Sequence, residues 1–227
     1  MVRLVLAFFL LPIIGKSQIL DLSPSFPTQE DQVSIIYDAT EGNGALAGQT
    51  EVYCHTGLIT QASTSPTSWQ FVQGNWGTPD ASVLMNNLGN NLFEITIDIP
   101  TFYGYSPGTE VYQLAFVFRN ADGSVVGRDS DGSDIYYDIY PINGPLVCAI
   151  FNPQNLDLFE IGETFVLNVE SNITSNILLY DNGTEIESQS NVTEVFFDFS
   201  SVSSGIHEIV SIAQSNGDFA YDTISIM

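Results

Sequence analysis

Basic residues are scarce in this sequence. Its 227 residues include 27 Asp and Glu but only four Lys and Arg, which gives a formal net charge of −23 at pH 7. Nucleic acids and anionic membrane surfaces are bound mainly by neutralising phosphates with Lys and Arg, so the composition makes both poor partners. Because 44% of the residues are hydrophobic and 12% are aromatic, the chain has the composition of a folded rather than a disordered protein.

Cysteine is also scarce, with only Cys54 and Cys148. An oxidising compartment would permit a bridge, but no spacing motif pairs them, and we favour two separate buried thiols. Together with the scattered His55 and His207, they make no recognisable metal site. The sequence also lacks the Gly-x-Ser-x-Gly elbow, the Walker loop and the His-Glu-x-x-His motif. Catalysis by this chain alone is therefore not predicted.

Long hydrophobic runs are confined to the first residues. Arg3 is followed by an apolar run over residues 4–14 that is too short to span a bilayer. Gly15 and Ser17 then stand at the two positions that a signal peptidase reads. We predict a signal peptide over residues 1–17, cleaved before Gln18. No later segment is long and apolar enough to cross a membrane, so we expect a secreted protein, extracellular or at the cell surface, without membrane insertion.

Short strands and turns dominate the remaining sequence. Residues 94–99 and 111–119 alternate clearly between apolar and polar side chains, which is typical of half-buried strands. In residues 111–119, Tyr112, Leu114, Phe116 and Phe118 share one face, and Arg119 lies on the other. Further strands are predicted at residues 32–38, 51–59, 69–73 and 135–139. No amphipathic helix is predicted.

A linker separates this region from a second one with the same pattern. Pro141 and the Asn143-Gly144-Pro145 run break the alternation. Beyond them, Asn182-Gly183 predicts a hairpin with a type I′ turn, within a set of about seven short strands. We therefore predict an all-β fold with two tandem immunoglobulin-like β-sandwiches, over residues 18–141 and 142–227.

The two basic residues after the predicted leader, Arg119 and Arg128, lie in one turn-rich segment, RNADGSVVGRDSDGSD (residues 119–134). A guanidinium is a rigid fork that binds carboxylates in a bidentate manner. We therefore predict that ion pairs hold this loop. Its members are Arg119, Asp122, Arg128 and Asp129, with Asp131 and Asp134 beside them.

The same aspartates have a second interpretation. Hard cations prefer clustered carboxylate oxygens, so Asp129, Asp131 and Asp134 are candidate calcium ligands. The EF-hand pattern fails, because Gly stands fourth in this segment and position twelve is Tyr140 rather than Glu. We favour the alternative in which these side chains cap turns through Asx hydrogen bonds. No cofactor is predicted, and calcium is the one candidate.

Aromatic residues cluster in or beside predicted loops, in GNWG (residues 74–77) and FYGY (residues 102–105). Rings at loop tips stack on the apolar faces of sugars, and a neighbouring Asn hydrogen-bonds hydroxyls. The candidate carbohydrate contacts are therefore Trp76, Tyr103, Tyr105 and Asn75. The alternative places these rings in the sandwich core, which we favour for Trp69 because it lies on a predicted strand.

Several segments together resemble a known family. They are DATEGNGALAG (38–48), YCHTGLIT (53–60), GNWG (74–77), LAFVFRNADG (114–123) and GRDSDGSD (127–134). In these segments the chain resembles the amino-terminal modules of secreted bacterial α-amylase-type proteins, where two immunoglobulin-like modules precede a family 13 glycoside hydrolase barrel. The resemblance extends over residues 32–140 and is looser in the second domain, at LLYDNG (178–183) and GIHEIV (205–210).

The resemblance implies a secreted, non-catalytic role in starch or α-glucan degradation. The first domain would bind polysaccharide or pack on a downstream catalytic domain, and the second would be a spacer. Because no barrel, catalytic carboxylates or sorting domain are present, we expect a truncated product, a fragment of a longer reading frame or a stand-alone binding relative. The alternative is a structural or adhesive protein that docks protein partners and binds no sugar. A third interpretation makes the first sandwich itself an enzyme.

Overall fold

The computed structural model describes residues 19–200 and 203–227, so the predicted signal peptide lies outside the described residues. These residues divide into two compact units between Pro145 and Leu146, shortly after the break predicted at Pro141. Helix in the described part is limited to a 3₁₀ turn, Ala81–Val83, and a short helix α1, Ile99–Tyr103. None of the described helices has the length and apolar character needed to span a bilayer.

The first unit, as far as it is described, consists of two antiparallel sheets. Its strands are β1 (Leu20–Ser23), β2 (Gln32–Asp38), β3 (Tyr53–Thr60), β4 (Gln70–Gln73), β5 (Asn86–Gly89), β6 (Leu92–Asp98), β7 (Val111–Arg119), β8 (Val126–Gly127) and β9 (Ile135–Asp138). One sheet has the order β1-β2-β6-β5, and the other has the order β4-β3-β7-β8, with β9 also paired to β7. Strands β1, β5 and β8 were not predicted from the sequence.

Both sheets bury side chains in one core. Val33 and Ile35 of β2 and Leu114 of β7 belong to it, and the ring of Tyr37 in β2 stacks on Phe118 in β7 with centroids 3.9 Å apart. Two sheets that share one apolar interior are the defining feature of a β-sandwich. The all-β sandwich that the alternation predicted is therefore confirmed.

The outer face of β3 and β7 is covered rather than open. The ring of Trp69 packs where Gly57 leaves space, since a Cβ on Gly57 would lie 3.1 Å from Trp69 Cβ. Trp69 also stacks on His55, with ring centroids 5.9 Å apart. The expected core position of Trp69 was wrong, because the segment between β3 and β5 folds over the outside of the sheet. Arg119 lies on this face too, and is buried for the same reason.

The second unit, over its described residues, contains five strands. They are β10 (Cys148–Asn152), β11 (Thr164–Asp181), β12 (Thr184–Ser200), β13 (His207–Ser215) and β14 (Asp218–Ile226). Asn182 and Gly183 join β11 to β12 with φ angles of 48° and 79°. Two successive positive φ angles are those of a type I′ turn, so the predicted hairpin is confirmed.

The prediction of about seven short strands was wrong, because β11 and β12 are long strands that serve both halves of the unit. The first half of β11 pairs with β10, and its second half pairs with β13, while β12 follows β11 with register shifts along its length. Leu167 from the first half and Ile177 from the second half are both fully buried in one core. The second unit is thus also sandwich-like.

Candidate functional site

Arg119, the last residue of β7, connects two loops of the first unit. It is 0% exposed. Its Nη1 donates to the carbonyl oxygens of Asn120 and Ala121 at 2.9 and 3.0 Å. Its Nη2 donates to those of Asn75 and Thr78 at 2.6 and 2.9 Å. The predicted pairing of Arg119 with carboxylates was therefore wrong, because backbone carbonyl groups surround its guanidinium.

Two aromatic rings accompany this buried cation. The guanidinium carbon lies 5.1 Å from the ring centroid of Tyr53 and 5.9 Å from that of Trp76. A cation within about 6 Å of an aromatic ring is attracted to the negative face of the ring. Arg119 therefore holds the backbone on both sides of Trp76 and contacts its ring as well.

Trp76 is the more exposed of the two tryptophans, with 49% of its surface accessible. Its indole and the ring of His55 form a T-shaped pair, with centroids 5.2 Å apart and planes at 84°. Gly123 leaves room for the indole, because a Cβ at that position would lie 3.0 Å from Trp76 Nε1. The indole is thus fixed from several directions while about half of it faces solvent.

Asp80 closes the loop that carries Trp76. Its Oδ2 accepts hydrogen bonds from the backbone N–H and the Nδ2 of Asn75, both at 3.0 Å, and its Oδ1 accepts from Ser82 Oγ at 2.6 Å. These bonds, of which that from the Ser82 hydroxyl is the most important, lower the pKa of Asp80 to about 2. The amide of Asn75, a candidate sugar contact, is therefore directed into its own loop.

Tyr103 does not have the exposed ring that a sugar contact requires. It is only 3% exposed, because the short helix α1 turns it into the core. Its hydroxyl lies 2.7 Å from Thr56 Oγ1, and Thr56 Oγ1 donates to the carbonyl of Ala115, so Tyr103 is the donor of the first bond. The assignment of Tyr103 to a sugar site was wrong.

Tyr105 is half-buried and also has a structural role. Its hydroxyl donates to the carbonyl oxygen of Gln29, and burial is the main cause that raises its pKa to about 12. Its ring meets Phe71 edge-on, with centroids 6.1 Å apart. Of the four candidate sugar contacts, Trp76 alone therefore presents a large aromatic surface to solvent.

The aspartates of residues 119–134 do not converge on one point. Asp134 forms an ion pair with Arg128. This pair does not involve Arg119. Asp122 and Asp131 accept hydrogen bonds from the backbone N–H groups of Ser124 and Ser133, at 3.0 and 2.8 Å. These are the Asx hydrogen bonds of the turn-capping interpretation.

Asp129 likewise accepts from the backbone N–H of its neighbour Ser130, at 2.5 Å. Across residues 19–200 and 203–227, no three His, Cys, Asp or Glu side chains come together in a way that could hold a metal ion. The assignment of Asp129, Asp131 and Asp134 to one calcium site was therefore wrong, because turns and Arg128 direct these carboxylates apart.

His207 of the second unit lies in a contact that the sequence did not reveal. Its Nδ1 lies 2.8 Å from Asp181 Oδ2, and its Nε2 lies 3.3 Å from both the hydroxyl and the carbonyl oxygen of Ser203. The carbonyl contact suits a ring N–H that donates, whereas a general base would need a lone pair there. We interpret the group as a clamp between the end of β11 and the loop before β13.

Cys54 and Cys148 are both free and buried, one in each unit, as in the interpretation that we favoured. Burial is the main cause that raises the pKa of both thiols. Reactive cysteines need the opposite, a thiolate stabilised near neutral pH. Neither cysteine has the environment of a nucleophile.

Comparisons with known proteins concern mainly the first unit. A family model described as "Domain of unknown function (DUF8578)" matches residues 21–126, a range that includes Trp76 and Arg119. No curated protein matches the chain.

Solved structures with a likeness to the chain include fibronectin(III)-like modules, Ig domains and a CARDB domain. The fibronectin(III)-like modules of Clostridium thermocellum CbhA are 13% identical, with 92% of this chain and 93% of that chain covered and a TM-score of 0.29. The N-terminal four Ig domains of Dscam1 isoform 4.44 are 12% identical, with 78% of this chain but only 38% of that chain covered and a TM-score of 0.27. The CARDB domain of PF1109 from Pyrococcus furiosus is 12% identical, with 37% of this chain and 93% of that chain covered and a TM-score of 0.27.

Proposed function

We propose that this chain is a secreted, non-catalytic accessory protein of starch or α-glucan degradation, and that its first unit binds the polysaccharide through Trp76. The observation that carries this proposal is the fixed, half-exposed indole of Trp76. Sugar rings have apolar faces that stack on aromatic side chains, and stacking costs less entropy when the aromatic ring is already held in place. Arg119 and Gly123 supply that restraint.

Electrostatics also favour a neutral ligand at this surface. The guanidinium of Arg119 is fully buried and its Nη atoms are engaged by four carbonyl oxygens, so it does not offer an exposed charge to an anion. The chain as a whole carries a formal charge of −23, which repels anionic polymers. A neutral glucan meets neither obstacle.

The second unit is proposed to be a spacer. It contains no Lys or Arg, and its His207 is buried in a clamp rather than exposed. The resemblance to amylase-type proteins further supports a catalytic partner that acts on the same polymer. The alternative is a structural or adhesive protein, for which the exposed rings of Phe219 and Tyr221 on β14 would be a contact surface.

Co-sedimentation with insoluble starch, with cellulose as the control polymer, tests the proposal. We expect retention on starch and a loss of affinity of about fivefold to tenfold in Trp76→Ala, which removes one stacking contact. Trp76→Phe should keep part of the affinity. Leu88→Ala is the matched control, because Leu88 is exposed to a similar extent, 46%, on β5.

The outcomes separate the site from the function. If the unmodified protein does not bind starch, the glucan proposal is wrong and the structural or adhesive alternative gains support. If it binds and Trp76→Ala binds equally well, the function stands but the site is elsewhere.

A further inference from the structure

A groove of about 460 Å³ lies beside the start of β7 in the first unit. Its volume is within the range of sites that hold small molecules. None of the sugar-site candidates lines it. The lining residues are Gln29, Glu110, Val111, Tyr112, Ile139, Tyr140, Pro141, Ile142 and Asn143, and we call this feature the Tyr112 groove.

The Tyr112 groove has apolar and aromatic walls. Val111 and Ile139 are buried, whereas Tyr112 is 48% exposed and Ile142 is 57% exposed. The ring of Tyr140 is held edge-on against Phe26, with centroids 5.2 Å apart. A ligand in the groove would therefore meet one exposed tyrosine ring, one fixed tyrosine ring and aliphatic surface.

Three backbone donors in the groove are already used. The N–H of Val111 donates to Gln29 Oε1 at 3.1 Å. The N–H groups of Ile139 and Tyr140 donate to the carbonyl oxygens of Tyr112 and Pro27, at 2.9 and 2.7 Å. Pro141 has no N–H. These three N–H groups are therefore not available to a ligand.

The side chains of Gln29 and Tyr112 also use their donors. Gln29 Nε2 donates to the carbonyl oxygen of Thr109 at 3.1 Å and to Glu30 Oε1 at 3.4 Å. The hydroxyl of Tyr112 donates to Glu110 Oε2 at 3.1 Å. The carboxylate of Glu110 has capacity for further hydrogen bonds, and a carboxylate only accepts. Glu110 therefore offers an acceptor to any donor group that enters the groove.

The local charge is negative. Glu110 lies in the wall, and the pKa of Tyr140 is raised mainly by burial and further by the charge of Asp138. The pKa of Tyr112 is raised chiefly by its hydrogen bond to Glu110. Both basic residues of the described chain lie outside the groove lining: Arg119 is buried and Arg128 is paired with Asp134.

We infer that the Tyr112 groove binds a lysine or arginine side chain of a partner protein. Ammonium and guanidinium groups only donate hydrogen bonds, carry the opposite charge to Glu110 and are attracted to tyrosine faces. Their aliphatic stems suit the isoleucine wall. A second copy of this chain is a poor partner, because among its described residues Arg119 is buried and Arg128 is already paired with Asp134. This inference does not depend on starch binding.

NMR titration of the ¹⁵N-labelled full chain tests whether the Tyr112 groove binds a basic side chain. The ligands are three end-blocked peptides, Gly-Gly-X-Gly-Gly, in which X is lysine, arginine or norleucine. We expect the lysine and arginine peptides to shift the backbone amides of Tyr112 and Ile142 at concentrations up to about 10 mM. The norleucine peptide, which has a similar stem but no charge, should not. Glu110→Gln should weaken binding about fivefold, the effect of a partly exposed charge pair.

Control variants make the result specific. Tyr112→Phe keeps the ring and should retain binding, whereas Tyr112→Ala should lose it. Glu51→Gln removes an exposed carboxylate just before Tyr53. In the sheet, Tyr53 lies opposite Arg119, at the other end of β7 from Val111, so this variant should bind the peptides as the unmodified protein does.

Three results would overturn the inference. They are the absence of shifts with both basic peptides, equal shifts with norleucine, and an equal effect of Glu51→Gln and Glu110→Gln. Shifts of the same amides by maltoheptaose but not by the basic peptides would assign the groove to sugar instead.

Discussion

Replacing Arg119 with methionine should destabilise the first unit strongly. Methionine fills a similar volume but donates no hydrogen bond, so four backbone carbonyl groups lose their partner. The loops that contain Asn75, Thr78 and Asn120 would then lose their common attachment. The attractive contacts of the guanidinium with the rings of Tyr53 and Trp76 would be lost at the same time.

The expected magnitude follows from these contacts. Hydrogen bonds from a charged donor contribute about 1.5 to 3 kcal/mol each, so four would give an upper limit of about 6 to 12 kcal/mol. Asn75 and Thr78 are exposed, however, and water can replace the guanidinium at their carbonyl groups. Removing the charge also removes its desolvation cost. We therefore expect a loss of about 3 to 5 kcal/mol, as when a buried charged contact is broken.

Urea denaturation followed by tryptophan fluorescence measures the loss of stability in the first unit. Both tryptophans of the chain, Trp69 and Trp76, lie in the first unit. Arg128→Met is the matched control, since the Arg128 side chain is 36% exposed in a surface ion pair and such pairs contribute at most about 1 kcal/mol. If Arg119→Met were no less stable than Arg128→Met, the guanidinium would not be what holds the two loops together.

Two further predictions concern single polar groups of the first unit. Tyr103→Phe should lower the free energy of unfolding by about 1 kcal/mol, because the hydrogen bond of a buried hydroxyl is lost. Tyr37→Phe should not lower it, since the buried hydroxyl of Tyr37 has no partner among the described residues. Equal urea midpoints for the two variants would contradict this prediction. The pKa of Asp80 is lowered from 3.8 to about 2, so its contribution to stability is present above its unfolded-state pKa and is lost as the pH falls through the folded-state value. Urea midpoints measured from about pH 5 to about pH 2 should therefore converge for wild type and Asp80→Asn, and a constant difference would argue against the hydrogen bonds as the cause.

Strand positions in the first unit could be predicted from the alternation of apolar and polar residues. Burial follows this alternation in β2 but not in β7, where Tyr112 is exposed and residues 114–119 are all buried. Gln32–Asp38 and Val111–Arg119 are strands with the bounds that the sequence indicated. The short strand β8 gave no such signal, since Val126 and Gly127 are too few to show a period. In the second unit, polar residues between apolar runs suggested loops, but bulged strands continue through them. A bulge is a tertiary feature that periodicity does not contain.

The candidate site could be predicted only in part. The motif around Trp76 marked an aromatic loop, and the structure places that ring at the surface. The same pattern failed for Tyr103, because α1 rotates it inward. The predicted pairing of Arg119 with carboxylates failed for a different reason. A sequence shows where carboxylates lie along the chain, but not which backbone carbonyl groups the fold brings together. The Tyr112 groove had no sequence signal, since its walls come from three separate segments.

The continuity of β11 and β12 has a consequence for cooperativity. In the first unit each sheet has its own strands, so one sheet edge can open while the other sheet stays paired. In the second unit the same two strands run through both halves. If one half loses its strand pairing, the strands that pair in the other half are therefore destabilised as well. We therefore expect the amides of β11 to exchange hydrogen as one group, with a single protection level on both sides of its bulges.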